Sequence, residues 1–110
     1  MNPKRGEIVL VDFGSEYGGH RQIGLRPAIV VRGIAELILV IPLTSNARAA
    51  RFRGSVTLHP SSKNNLSKAS VALVFQLQPI DKTEVVKRIG TLSRTDKQKI
   101  NESMRDLLVL

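Results

Sequence analysis

Apolar residues fall along this chain in short runs broken by glycine, proline and clusters of small polar side chains, a pattern of strands and turns. Residues 7–13 (Glu-Ile-Val-Leu-Val-Asp-Phe), bounded by Gly6 and Gly14, predict a central or near-central strand with apolar residues on both faces. Residues 14–25 contain four glycines and the polar Ser15, Glu16, His20, Arg21 and Gln22, a connection too long for a tight hairpin. A second strand over 26–31 and a third over 37–43 follow, joined by a short turn around Gly33. Pro42 has no ladder donor, which places the end of the third strand at an edge or bulge, with Thr44-Ser45-Asn46 emerging beyond it. Residues 47–53 read as a basic loop, 55–59 as a short alternating strand, and 60–68 as a turn-rich surface loop. Fifth and sixth strands are expected over 70–77 and within 85–92.

The last segment changes period. Ser93-Arg94-Thr95-Asp96 has the spacing of a capping box, so a helix should begin there. Ile100, Met104, Leu107 and Leu108 follow at i, i+4, i+7 and i+8 as one apolar stripe, with Lys97, Lys99, Glu102 and Arg105 toward water. Strands of this number and length, plus one helix, predict a mainly β fold: a small antiparallel barrel or tightly bent sheet in a single domain over residues 1–110.

The chain of 110 residues, 42% hydrophobic, can bury one modest core. It has no cysteine, no apolar stretch of signal-peptide length at its start, and no run near the ~18 residues that span a bilayer. A cytoplasmic protein with no membrane partner is expected. Seventeen Lys and Arg against nine Asp and Glu give a net charge of +8, suited to polyanions or acidic proteins. Between Glu36 and Asp81 there is no acidic residue, while Arg48, Arg51, Arg53, Lys63 and Lys68 fall in that interval. The positive field should therefore come from the middle of the chain; the plain alternative is basicity that serves solubility.

No phosphate-binding glycine loop with a following Lys occurs, and His20 and His59 have no ligand-spaced partners, so no metal and no cofactor is expected. Arg26 stands before Pro27 at the mouth of the second strand, where proline holds it extended and near the surface, a good place for an anion. With His20, Thr44, Ser45 and Gln76 it makes a polar set at loops and strand ends. Each has a plainer reading. Arg26 is then a surface arginine, His20 a solvated loop histidine, and Thr44 a strand end whose hydroxyl serves the local backbone. Tyr17 is a single aromatic in a glycine loop, a weak stacking candidate, and His59 is read as structural or solvated.

Arg5-Gly6-Glu7-Ile8-Val9-Leu10-Val11-Asp12-Phe13, Gly24-Leu25-Arg26-Pro27-Ala28-Ile29-Val30-Val31, Val40-Ile41-Pro42-Leu43-Thr44-Ser45-Asn46, Gln76-Leu77-Gln78-Pro79-Ile80-Asp81-Lys82 and Lys87-Arg88-Ile89-Gly90-Thr91-Leu92 occur in that order. Together they resemble the MazF/PemK/Kid ribonuclease toxins of bacterial type II toxin-antitoxin systems. The resemblance implies an SH3-like barrel with a C-terminal helix and a homodimer. It also implies a MazE-like antitoxin partner, DNA binding through the antitoxin complex, and metal-independent cleavage of single-stranded RNA. By the same resemblance, Arg26 and Thr44 match active-site residues, and His20, six residues before Arg26, matches a functional histidine of PemK-like members. RNA supplies its own nucleophile in such a reaction, the 2′-hydroxyl. Arg26 would then neutralise charge on phosphorus, His20 would move protons, and Thr44 and Ser45 would hydrogen-bond the phosphate. Gln76, Arg21, Tyr17, Arg48, Arg51 and Arg53 are the further candidate RNA contacts.

Four positions depart from the family pattern. Arg21 stands where many members have glutamate, Phe75 where PemK-like members have aspartate, and Gln78-Pro79 where Arg-Thr is common. These changes leave proton transfer largely to His20. The alternative reading is a non-catalytic member of the same fold that binds RNA, or a protein target as the related CcdB gyrase inhibitors do, or a folded remnant.

Overall fold

The computed structural model describes residues 2–14 and 24–109. Among these, seven strands precede one helix: β1 (Glu7–Asp12), β2 (Leu25–Ile34), β3 (Leu37–Thr44), β4 (Ser55–Leu58), β5 (Ser70–Leu73), β6 (Gln78–Asp81), β7 (Val85–Thr91) and α1 (Arg94–Leu108). All pairings are antiparallel, in the order β4-β5-β3-β2-β1-β7, with β6 also on β3. β1 lies between β2 and β7, and its side chains do alternate between two apolar clusters. Ile8 joins Ile29, Ile41, Leu43, Leu58, Leu92 and Ile100 on the helix side. Val9 and Val11 join Ala28, Val30, Ile38, Val40 and Ile80 on the other.

Among the described residues the sheet is not closed, so of the expected barrel or tightly bent sheet it is the bent sheet, with β4 and β7 as its ends. The 59–69 connection bridges toward β7 without making a ladder. Thr91 N donates to Lys63 O at 3.0 Å and Asn65 Nδ2 to Ile89 O at 3.0 Å. Asn64, 1% exposed, holds this connection: its Oδ1 accepts from Ser61 N and Leu66 N, and its Nδ2 donates to His59 O. Gly90 is required by the close approach, since a Cβ there would lie 2.5 Å from Asn64 O. The stretch read as a surface loop is thus anchored at its centre.

The predicted strand over 70–77 is two strands. Five residues separate Ala72 from Gln78, whereas two separate their partners Leu43 and Val40 on β3. The excess is expelled as a 3₁₀ turn at Val74–Gln76, which swings Phe75 and Gln76 out of the sheet line. Pro42 sits at that interruption, buried within the sheet and not at an edge, where β3 changes partner from β6 to β5. Gly33 is not the turn either: β2 runs on to Ile34 and reverses at Ala35, whose φ of 54° is left-handed. A bulge between Val30 and Arg32 bends the same strand.

The basic loop over 47–53 contains a 3₁₀ turn, Ala47–Arg51, capped by Asn46 Oδ1 accepting from Arg48 N at 3.0 Å. Ser93 caps α1, its Oγ accepting from Asp96 N at 3.1 Å, but Asp96 does not return the second bond of a capping box. Ile100 is buried, and Met104 and Leu107 pack on the helix-side cluster. Leu108 is not part of that stripe; it is 55% exposed. No helix among the described residues is long and apolar enough to cross a membrane.

Candidate active site

Ala28 on β2 pairs with Pro42 on β3, so two residues further along each strand Arg26 and Thr44 arrive at the same end of the sheet. Proline fixes the backbone after Arg26, and Val11 on β1 pairs with Arg26 from the other side. The arginine's backbone is thus set by Pro27 and by the β1 ladder. Arg26, Thr44 and Ser45 line one cavity of about 340 Å³, which Asn65, Ser67 and Lys68 complete from the 59–69 connection. Thr44 also borders a larger groove of about 870 Å³ lined by Asn46, Phe52, Phe75, Gln76 and Gln78. Thr44 is the shared wall.

Among the described residues, neither cavity has an acidic lining residue. Arg26 and Lys68 are the cations of the smaller one, a disposition that suits a phosphate with a hydroxyl-bearing wall beside it. Thr44 Oγ1 accepts from Asn46 N at 3.2 Å, and Asn46 in turn caps the 3₁₀ turn, so the strand exit is held by consecutive side chain to backbone bonds. The Thr44 bond uses an oxygen lone pair and leaves the hydroxyl proton able to donate. Gln78 Nε2 donates to Gln76 O at 3.2 Å, which fixes Gln78 within the groove.

A perturbed carboxylate lies at the far end of β6. Asp81 is held below its ordinary range because Thr83 donates to it through both its amide and its hydroxyl, at 3.0 and 2.9 Å. Among the described residues, no three His, Asp or Glu side chains converge as a metal site.

Of the residues singled out from sequence, Arg26, Thr44 and Ser45 come together in one cavity, and Gln76 meets Thr44 in the next. Arg48 and Arg51 belong to the 3₁₀ turn that follows Thr44-Ser45-Asn46. Arg53 faces elsewhere: its guanidinium is 3.5 Å from Asp106 on α1, both side chains well exposed. Tyr17, His20 and Arg21 lie outside the described residues. Sequence reasoning missed Lys68, Asn65, Asn46 and Gln78 as lining groups, and it treated Phe75 only as a replaced acid. The alternation Arg51-Phe52-Arg53 inside the acid-free interval is the signal that could have marked Phe52.

An open antiparallel sheet with a C-terminal helix thus carries an arginine and a threonine at adjacent strand ends. The chain belongs to the PemK-like, MazF-like toxins of type II toxin-antitoxin systems, whose family model matches residues 4–108. It is 26% identical over 106 residues to the endoribonuclease MazF of Staphylococcus saprophyticus, covering 92% of this chain and 87% of that protein. The fold is similar to the crystal structure of MazF from Deinococcus radiodurans, with a TM-score of 0.79 and 24% identity over 98% of this chain and 97% of that one. It is also similar to a mycobacterial endoribonuclease in complex with its cognate antitoxin, with a TM-score of 0.75 and 22% identity over 99% and 97% of the two chains.

Proposed function

We propose that this protein is a toxin-type endoribonuclease that cuts single-stranded RNA and is held in check by a cognate MazE-like antitoxin. The observation that carries the reading is the cavity in which Arg26, Thr44 and Ser45 meet beside Lys68, joined through Thr44 to a groove rich in amides. The substrate's 2′-hydroxyl attacks the adjacent phosphorus, its proton leaves to a base, and the bond from phosphorus to the 5′ oxygen breaks as that oxygen is protonated. The products are a 2′,3′-cyclic phosphate and a 5′-hydroxyl, and the step consumes no water. Arg26 binds two phosphate oxygens and neutralises the charge that grows on them. Thr44 and Ser45 donate to the same phosphate, Gln76 contacts a base edge, and His20 moves the protons. The protein works as a cytoplasmic homodimer in this reading, and a small acidic antitoxin suits its net charge of +8.

Phe75 favours one competing reading, because the position before Gln76 carries no proton-transfer group. The chain would then bind RNA or a protein target without cutting. Incubation of the purified protein with long RNA in excess EDTA separates the two. Cleavage with cyclic phosphate ends is the expected result; intact RNA, or ends bearing a 5′-phosphate, would contradict the proposal.

A further inference from the structure

Two of the chain's three phenylalanines stand side by side at the surface, Phe52 44% and Phe75 42% exposed. Their ring centroids are 5.2 Å apart with planes at 51°, a tilted pair within the usual range for interacting aromatics. The Arg51 guanidinium carbon lies 5.1 Å from the Phe52 ring centre. Single exposed apolar residues need no explanation, but a packed aromatic pair in a groove that also contains three carboxamides does. Phe75 reaches this place because the 3₁₀ turn at Val74–Gln76 expels it from the sheet line, next to Gln76.

We propose that Phe52 and Phe75 form a stacking wall that takes an unpaired base of the RNA, next to the nucleotide whose phosphate lies at Arg26. This inference rests on the nuclease reading for its substrate class and adds a specificity-determining element to it. Every base has a π face, so an exposed ring gives a sequence-tolerant hold. The amides of Asn46, Gln76 and Gln78 on the same groove can donate to and accept from a base edge, which gives preference among bases. Arg51 backs the pair with positive charge, and among the described residues no carboxylate lines the groove to repel the backbone. Thr44, common to groove and cavity, sets the stacked base beside the phosphate site. On this view Phe75 exchanges a proton-transfer position for a binding one.

The test uses short unstructured 2′-fluoro oligonucleotides, which lack the attacking hydroxyl, carrying 2-aminopurine or an abasic nucleotide at successive positions. The intact protein should quench 2-aminopurine at one position, and Phe75→Ala should lift the quenching and weaken binding about tenfold or more. Phe75→Trp should keep both, and Phe75→Leu, which keeps apolar bulk without a ring, should behave like Phe75→Ala. An abasic nucleotide at that position should bind the native protein and Phe75→Ala equally, because both changes remove one contact. Unchanged binding by folded Phe75→Ala, or abasic and Phe75 losses that simply add, would overturn the proposal and leave the groove to a protein partner. A native protein that binds no oligonucleotide would overturn it too. Binding with this signature but no cleavage of RNA would remove the nuclease reading alone, and cleavage indifferent to Phe75 would remove the stacking wall alone.

Discussion

Arg26→Ala is expected to slow RNA cleavage by about 10²- to 10³-fold, the usual consequence of losing one donor aimed at developing charge. The fold should survive. Arg26 contributes its backbone to the β1–β2 ladder, opposite Val11, and alanine preserves that pairing, while the buried residues on either side of the sheet are untouched. Arg26→Lys should fall between the two, since an ammonium keeps the charge but loses the planar fork that grips two oxygens at once. Initial rates on a long RNA, with a thermal melt of each variant, give the comparison. A folded alanine variant that cuts at the native rate would take Arg26 out of the site.

His20→Ala is expected to cost about 10²- to 10⁴-fold in rate, the range for a positioned proton-transfer group. This prediction comes from the sequence, where His20 precedes Arg26 by six residues and the family's acids are replaced by Arg21 and Phe75. Initial rates on the same long RNA, with a thermal melt of the variant, give the comparison. A folded His20→Ala variant that cuts at the native rate would assign the proton to another group.

The local pattern told which residues face a core, because the two-residue period of β1 and the spacing around Ile100 are properties of a single segment. It did not tell which strand lies beside which. The break at Val74–Gln76 follows from an unequal count of residues opposite β3, and no property of residues 70–77 alone reveals that count. Pro42 reads as an edge or bulge signal, and which of the two holds depends on the neighbouring strand: it sits inside the sheet, at the place where that strand is interrupted. The 59–69 connection is likewise tied to β7 by contacts distant in sequence, Thr91 N to Lys63 O and Asn65 Nδ2 to Ile89 O, which no local pattern shows. Of the candidate site, the meeting of Arg26 with Thr44 and Ser45 was legible from strand ends and from the family resemblance. The Phe52–Phe75 pair was not, because the two rings are joined only by the turn that the sequence did not disclose.

In the proposed reaction the substrate's own 2′-hydroxyl is the nucleophile, and Arg26 with Thr44 and Ser45 positions the phosphate and neutralises its charge. The most direct measurement takes an RNA oligonucleotide spanning a mapped cleavage site and compares it with one bearing a single 2′-deoxy group on the nucleotide before the cut. The all-ribose strand should be cut in EDTA to a 2′,3′-cyclic phosphate, while the deoxy strand binds but stays whole; cutting of the deoxy strand at the same position would contradict the account.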